Sequence, residues 1–213
     1  MKILLFGATG SAGGSVLEAC LSTQRVEEVR AITRRPLQRD HTKLRVFVHS
    51  DFTGYASVSD AFVNIDACLF CLGVSSTQVR GEQYRRITHD YTMAAARMVK
   101  EFSPGAAFHY ITGMGTQIDS RLTWARVKGQ TEKELIELIN AICWRPAFID
   151  GANTGPRLVR AVRPVLRLLK PFKSLYVSGE DLGHAMLQAT IEGMRGEIIE
   201  NEQIRELAGR FVR

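Results

Sequence analysis

Lys2-Ile3-Leu4-Leu5-Phe6-Gly7-Ala8-Thr9-Gly10-Ser11-Ala12-Gly13-Gly14 is the stretch whose reading decides the fold. Five residues of strand character run straight into Gly7-x-x-Gly10-x-x-Gly13, and a helical spacing of apolar residues, Val16, Leu17, Cys20 and Leu21, follows at once. The stretch therefore reads as a strand, a glycine turn and a helix N-terminus. Such a turn leaves backbone N–H groups at the positive end of a helix dipole, which suits a diphosphate. One glycine makes the tight turn, one lets the diphosphate approach the backbone, and one lets the helix pack closely on the strand. The alternative is a glycine-rich turn between two core elements. The position, directly after a strand and opening a helix, favours a dinucleotide, with Gly7, Thr9, Gly10, Ser11, Ala12 and Gly13 as the expected cradle.

Outward from that stretch, strands and helices alternate. Strands are expected at Glu28–Thr33, Leu44–Val48, Ala67–Leu72, Ala107–Thr112 and Ala141–Phe148. A long amphipathic helix is expected from about Glu82 to Glu101, with Tyr84, Ile87, Tyr91, Ala94, Ala95 and Met98 on one side, and a second spans Leu122 to Asn140. Alternation at this spacing calls for an α/β, doubly wound Rossmann fold, a mostly parallel sheet flanked by helices with right-handed crossovers. The 213 residues suit one domain, 1–213, with 151–180 forming a small substrate-side lobe.

The end of the second strand bears on which nicotinamide dinucleotide is favoured. A site for NAD usually offers an acid there for the ribose 2′-hydroxyl, whereas NADP needs cations for its 2′-phosphate. This chain reads Thr33-Arg34-Arg35. Two adjacent guanidiniums can pair a phosphate and stack on adenine, so NADP(H) is the expected cofactor. A solvated surface turn is the plainer alternative.

Gly-Ala-Thr-Gly-x-x-Gly, Thr33-Arg34-Arg35, Ser50-Asp51-Phe52, Cys71-Leu72-Gly73, His89-Asp90-Tyr91, Val127-Lys128-Gly129 and Trp144-Arg145-Pro146 together resemble the atypical short-chain dehydrogenase/reductases. Their relatives include the NAD-dependent epimerase/dehydratase proteins, and Asp181-Leu182-Gly183-His184 is similar to a stretch in flavin reductases of the biliverdin-reductase-B type. The resemblance runs over nearly the whole chain. It implies a bound NADP(H), with Asp51 and Phe52 around the adenine and Leu72 and Gly73 beside the ribose and diphosphate.

Catalytic members of that family carry a Tyr-x-x-x-Lys pair on the helix after the fifth strand and a Ser or Thr at that strand's end. Here the helix reads Trp124-Ala125-Arg126-Val127-Lys128. The spacing keeps residues 124 and 128 on one face. An indole N–H cannot exchange a proton usefully near neutral pH, so the tyrosine's role is lost. The resemblance leaves Lys128 to hydrogen-bond the nicotinamide ribose; otherwise it is a surface ammonium. Thr112 is the candidate hydroxyl for a substrate oxygen, or an ordinary β-branched strand residue.

The bulk numbers narrow the function classes. The net charge of +6 arises from 28 basic and 22 acidic residues. Arg157, Arg160, Arg163, Arg167, Lys170 and Lys173 lie in one stretch without an acid, and without those six the charges balance. That stretch reads as an amphipathic helix interrupted at Pro164; it would grip an anionic substrate, touch an acidic surface, bind a partner protein, or, the preferred reading, face water. It lacks interleaved aromatics, so nucleic acid is not an expected partner. With neither a signal-like leader nor an apolar run of ~18 residues, no membrane span is expected and the expected location is cytoplasmic. Cys68 and Cys71 fall three apart on an expected buried strand, where side chains diverge, so no metal or redox pair is expected.

Two function classes remain. One is an NADP-dependent oxidoreductase passing hydride to a small-molecule acceptor such as a flavin, quinone or small carbonyl without the tyrosine acid. The other is a non-catalytic NADP(H)-binding regulator or redox sensor acting through a partner protein.

Overall fold

The computed structural model describes residues 1–151 and 167–212. Its strands are β1 (Lys2–Phe6), β2 (Glu28–Thr33), β3 (Leu44–Val48), β4 (Ala67–Phe70), β5 (Ala107–Ile111), β6 (Ile142–Arg145), β7 (Phe148–Asp150), β8 (Tyr176–Ser178) and β9 (Ile198–Glu200). Seven form one sheet in the order β3-β2-β1-β4-β5-β6-β9 with every pairing parallel, and β7 pairs with β8. The helices are α1 (Ser11–Ser22), α2 (Gly81–Arg85), α3 (Tyr91–Phe102), α4 (Thr123–Ile139), α5 (Gly179–Ile191) and α6 (Asn201–Arg210). This is the doubly wound Rossmann architecture read from the sequence.

β1 shows why its sequence is apolar without alternation. Ile3 and Leu5 enter the layer under α1, α5 and α6, whereas Leu4 and Phe6 enter the layer under α3 and α4. A strand covered on both faces has no polar side. The chain turns back across the sheet at β1, which pairs with β2 on one side and β4 on the other. The crevice beyond the carboxyl ends of those strands is where such sheets bind ligands. Cys68 lies in the second layer and Cys71 packs against the first, so the thiols diverge as expected; all four cysteines are free.

Several element boundaries differ from the sequence reading. The expected strand Ala141–Phe148 is two strands in different sheets, because Pro146 has no N–H to continue a ladder, and its carbonyl instead accepts from Met114 N at 2.9 Å. The expected strands at Ala67–Leu72 and Ala107–Thr112 stop at Phe70 and Ile111. The long helix contains a π segment, Arg86–Asp90, between α2 and α3. There the Thr88 carbonyl takes hydroxyl donors from Thr92 (2.7 Å) and Tyr110 (3.2 Å). The wider turn shifts the buried stripe, so that Thr92, Met93, Ala95, Ala96 and Val99 face the core, while Ala94 and Met98 are only half-buried.

Candidate functional site

The glycine turn gives each glycine a distinct reason. Gly7 has a φ of +79°, and a Cβ on it would lie 2.6 Å from the Cys71 carbonyl carbon. Gly13 admits the close approach of α1 to the turn, since a Cβ there would stand 2.2 Å from Gly7 O. Gly10 is the helix N-cap, in extended backbone (φ −82°, ψ 170°), where a Cβ would meet only Gly7 O at 3.3 Å. The first i→i−4 bond of α1 runs from Gly14 N to Gly10 O at 2.8 Å. The amides of Ala12 and Gly13 therefore have no helical carbonyl to bond. Among the described residues no side chain caps this end and no acid occupies its first turn, while Thr9 and Gly10 are exposed at the tip. These features fit a diphosphate: they offer donors, room and a favourable dipole, with no competing carboxylate.

Two further contacts brace α1. A Cβ on Gly151 would lie 2.4 Å from Ser11 O, so the chain after β7 passes directly over the start of the helix. Gly179 and Gly183 of α5 meet Ser15 and Ala19 of α1, where added Cβ atoms would come within 2.4 and 2.5 Å of those residues' Cβ atoms.

Arg34 and Arg35 follow β2 at the same end of the sheet, and both are exposed. Neither has an ion-pair partner among the described residues, whereas Arg39 is engaged by Glu18. The hydroxyl of Thr33 donates to Arg35 O at 2.7 Å and holds the turn in place. Asp51 accepts from Thr53 N (3.0 Å) and Thr53 Oγ1 (2.5 Å), which hold its carboxyl below the usual range. The Phe52 ring lies in the core. It is 2 % exposed and packs against Phe6, Tyr55 and Tyr91, so its side chain is withdrawn from the surface. Leu72 is half-buried and Gly73 exposed in the loop after β4, with open space where a Gly73 Cβ would stand.

Lys128 and Thr112 come together, though not as a substrate-facing pair. Lys128 Nζ donates to the backbone oxygen of Thr112 at 2.5 Å. Burial pulls the lysine down to about 8, opposed by Glu132. The Thr112 hydroxyl is turned inward: it donates to Glu132 Oε1 at 2.6 Å and lies 3.0 Å from Trp144 O. The expectation that Thr112 offers a hydroxyl to substrate is thus corrected, because its proton is already committed to a buried carboxylate. Trp124, half-buried, sets its ring by the loop after β5, with Cη2 3.7 Å from where a Gly115 Cβ would be.

Glu132 is the residue that the sequence reading missed. It is 3 % exposed and takes both Arg145 Nε (3.0 Å) and Arg145 Nη2 (2.6 Å) as well as the Thr112 hydroxyl. Its signal was present: the buried stripe of α4, Ala125, Gly129, Glu132, Leu135 and Ile139, has helical spacing and one carboxylate inside it. Of the basic stretch, residues 157–166 lie outside the described residues. Arg167 pairs with Asp150 at 2.8 Å, and Lys170 and Lys173 are exposed.

No family model matches the chain. Protein FMP52 of Coccidioides immitis, named mitochondrial, is 24% identical over 230 residues, covering 98% of this chain and 93% of that one. Protein HTATIP2 of Rattus norvegicus is 24% identical over 141 residues, covering 64% of this chain and 57% of that one. Among solved structures, dTDP-glucose 4,6-dehydratase from Bacillus anthracis in complex with NAD superposes with a TM-score of 0.71 at 13% identity, over 93% of this chain and 74% of that one.

The fold is that of the short-chain dehydrogenase/reductase and epimerase/dehydratase proteins. The likeness to HTATIP2 supports the atypical branch suggested by the motifs. One expectation is overturned. The FMP52 relatives are named mitochondrial, so the cytoplasmic assignment does not stand. Among the described residues no helix is long and apolar enough to cross a membrane.

Proposed function

We propose that this chain is a single-domain NADP(H)-binding oxidoreductase that passes hydride to an acceptor needing little proton help from the protein, such as a flavin or quinone. The observation that carries it is the glycine turn. A cradle in which Gly7 and Gly13 leave no room for a Cβ opens a helix at the switch point of a parallel sheet. The cofactor, when bound, supplies the hydride. The chain's own residues do the rest: the α1 amides take the diphosphate, Arg34 and Arg35 the 2′-phosphate, Asp51 and Phe52 in the loop after β3 with Leu72 and Gly73 in the loop after β4 the adenine and ribose, and Lys128 the nicotinamide ribose. The choice of NADP(H) rests on Arg34 and Arg35, two exposed guanidiniums with no described ion-pair partner.

A second reading has its own support. Trp124 stands where a phenol would be needed and the Thr112 hydroxyl is spent on Glu132, so the described residues supply neither proton device of the usual scheme. A regulator that senses NADP(H) and acts through a partner protein needs neither. Calorimetry with NADPH and NADH, followed by NADPH oxidation against flavins, quinones and aldehydes, separates the readings. Turnover with any acceptor selects the enzyme, tight binding with none selects the sensor, and no binding of either nucleotide sinks both.

A further inference from the structure

Lys128, Glu132 and Arg145 form a connected unit reaching from the mouth of the crevice to the far edge of the sheet. Lys128 Nζ holds Thr112 O (2.5 Å), Thr112 Oγ1 holds Glu132 Oε1 (2.6 Å), and Glu132 takes the fork of Arg145. Arg145 is steadied in turn by Glu200 at the end of β9, 3.2 Å away. The unit therefore ties α4 to β5, β6 and β9 at once. A carboxylate 3 % exposed is costly to hold unless its lone pairs are filled, and here three donors fill them.

Glu132 lies one helical turn from Lys128, on the same face of α4. Its negative charge is the one that acts on the ammonium and favours the charged lysine against burial. The other ionisable groups near the unit do not compete for this part. Arg145 and Glu200 lie beyond Glu132, and the phenols of Tyr110 on β5 and Tyr84 on α2 are kept neutral by burial. The geometry points to Glu132, clamped by Arg145, as the positioning residue for Lys128: it fixes both the place and the charge of the ammonium presented to an anionic or hydroxyl-rich ligand in the crevice. That the ligand is a nicotinamide ribose rests on the function proposed above; the coupling of Glu132 to Lys128 does not.

The consequence is a pH signature. With Glu132 in place, Lys128 stays charged up to about 8; without it, burial alone sets a lower midpoint. Competitive acetylation of the intact protein across pH 5–10, with the Lys128 peptide followed by mass spectrometry, reads that midpoint directly. We expect Glu132→Gln to lower it while the exposed Lys170 and Lys173 are unmoved as references of fold and reagent. Since Glu132→Gln leaves the Arg145 guanidinium half-buried beside a neutral amide, the double variant Glu132→Gln/Arg145→Met removes the pair together and covers the case in which the single variant does not fold. NADPH affinity of either variant should fall at pH 6, where placement is lost, and roughly tenfold further at pH 8, where charge is lost as well. A loss of melting temperature with an unchanged Lys128 midpoint would overturn the assignment. A midpoint lowered in the variant, together with a parent that binds no NADPH, would uphold it and overturn the proposed function instead.

Discussion

Lys128→Met separates what this residue costs the fold from what it gives the site. A lysine held at about 8 against an ordinary 10.5 pays for its charge when the chain folds. At ~1.4 kcal/mol per pH unit the gap amounts to ~3 kcal/mol. Partial exposure screens some of this, and the variant forfeits the ammonium's hydrogen bond to Thr112 O, worth ~1 kcal/mol. A net gain of about 1–2 kcal/mol is expected at pH 7, or roughly 2–8 °C in melting temperature for a chain of this size. The sign with pH is definite. Below pH 8 the lysine is charged both folded and unfolded, so its cost is present in full. Between about 8 and 10.5 the folded lysine is neutral while the unfolded one is still charged, and the parent regains stability. Urea titrations of both proteins from pH 6 to pH 10.5 should therefore converge at the alkaline end, with the variant ahead at the neutral end. NADPH affinity should drop in the same variant. A parent at least as stable as Lys128→Met at pH 7, or a difference independent of pH, refutes the reasoning that burial strains this ammonium.

The remaining predictions address the rest of the crevice. Arg34→Ala with Arg35→Ala should remove most of an NADPH preference over NADH of at least ~10-fold, measured by calorimetry; equal affinities in the parent would sink the phosphate-binding role. Gly10→Val should fold and lose nucleotide binding, because its backbone is extended and a Cβ meets only Gly7 O, whereas Gly13→Val should lose the fold as well, its Cβ being driven into the Gly7 carbonyl at 2.2 Å. Circular dichroism beside calorimetry tells the two apart, and normal binding by Gly10→Val would reduce the turn to a connector. Trp124→Tyr should gain reduction of at least one aldehyde, since a phenol in reach of Lys128 can donate a proton, an effect worth roughly 10²–10⁴-fold. A parent that already reduces ketones at ~10 s⁻¹ would mean another residue supplies the proton.

What was legible in the sequence was whatever a local pattern controls. β1, the glycine turn, α1, β2 and β3 were read because apolar runs and glycines act within a few residues of themselves. Pro146 was visible too, but a reading that weighed the apolar character of Ala141–Phe148 above the missing N–H ran one strand through it. The turning of the Thr112 hydroxyl was not legible from its own surroundings. It depends on Glu132, twenty residues along the chain, and on whether that acid faces solvent like Glu137 or lies in the buried stripe of α4. The Phe52 ring is a similar case, buried in an aromatic cluster assembled from β1, its own loop and α3.

The packing of α5 on α1 bears on the order in which the chain matures. Ser15 and Ala19, near the beginning, find Gly179 and Gly183, near the end, and the closing strand β9 docks only after β6 exists to receive it. During synthesis the glycine turn is made long before α5, so the helix behind it is left without its brace until that later segment leaves the ribosome. Contacts this far apart in sequence form late and slowly. The brace behind the turn is therefore acquired late in folding, and a chain truncated before α5 would keep every residue of the turn while lacking the support that holds it open.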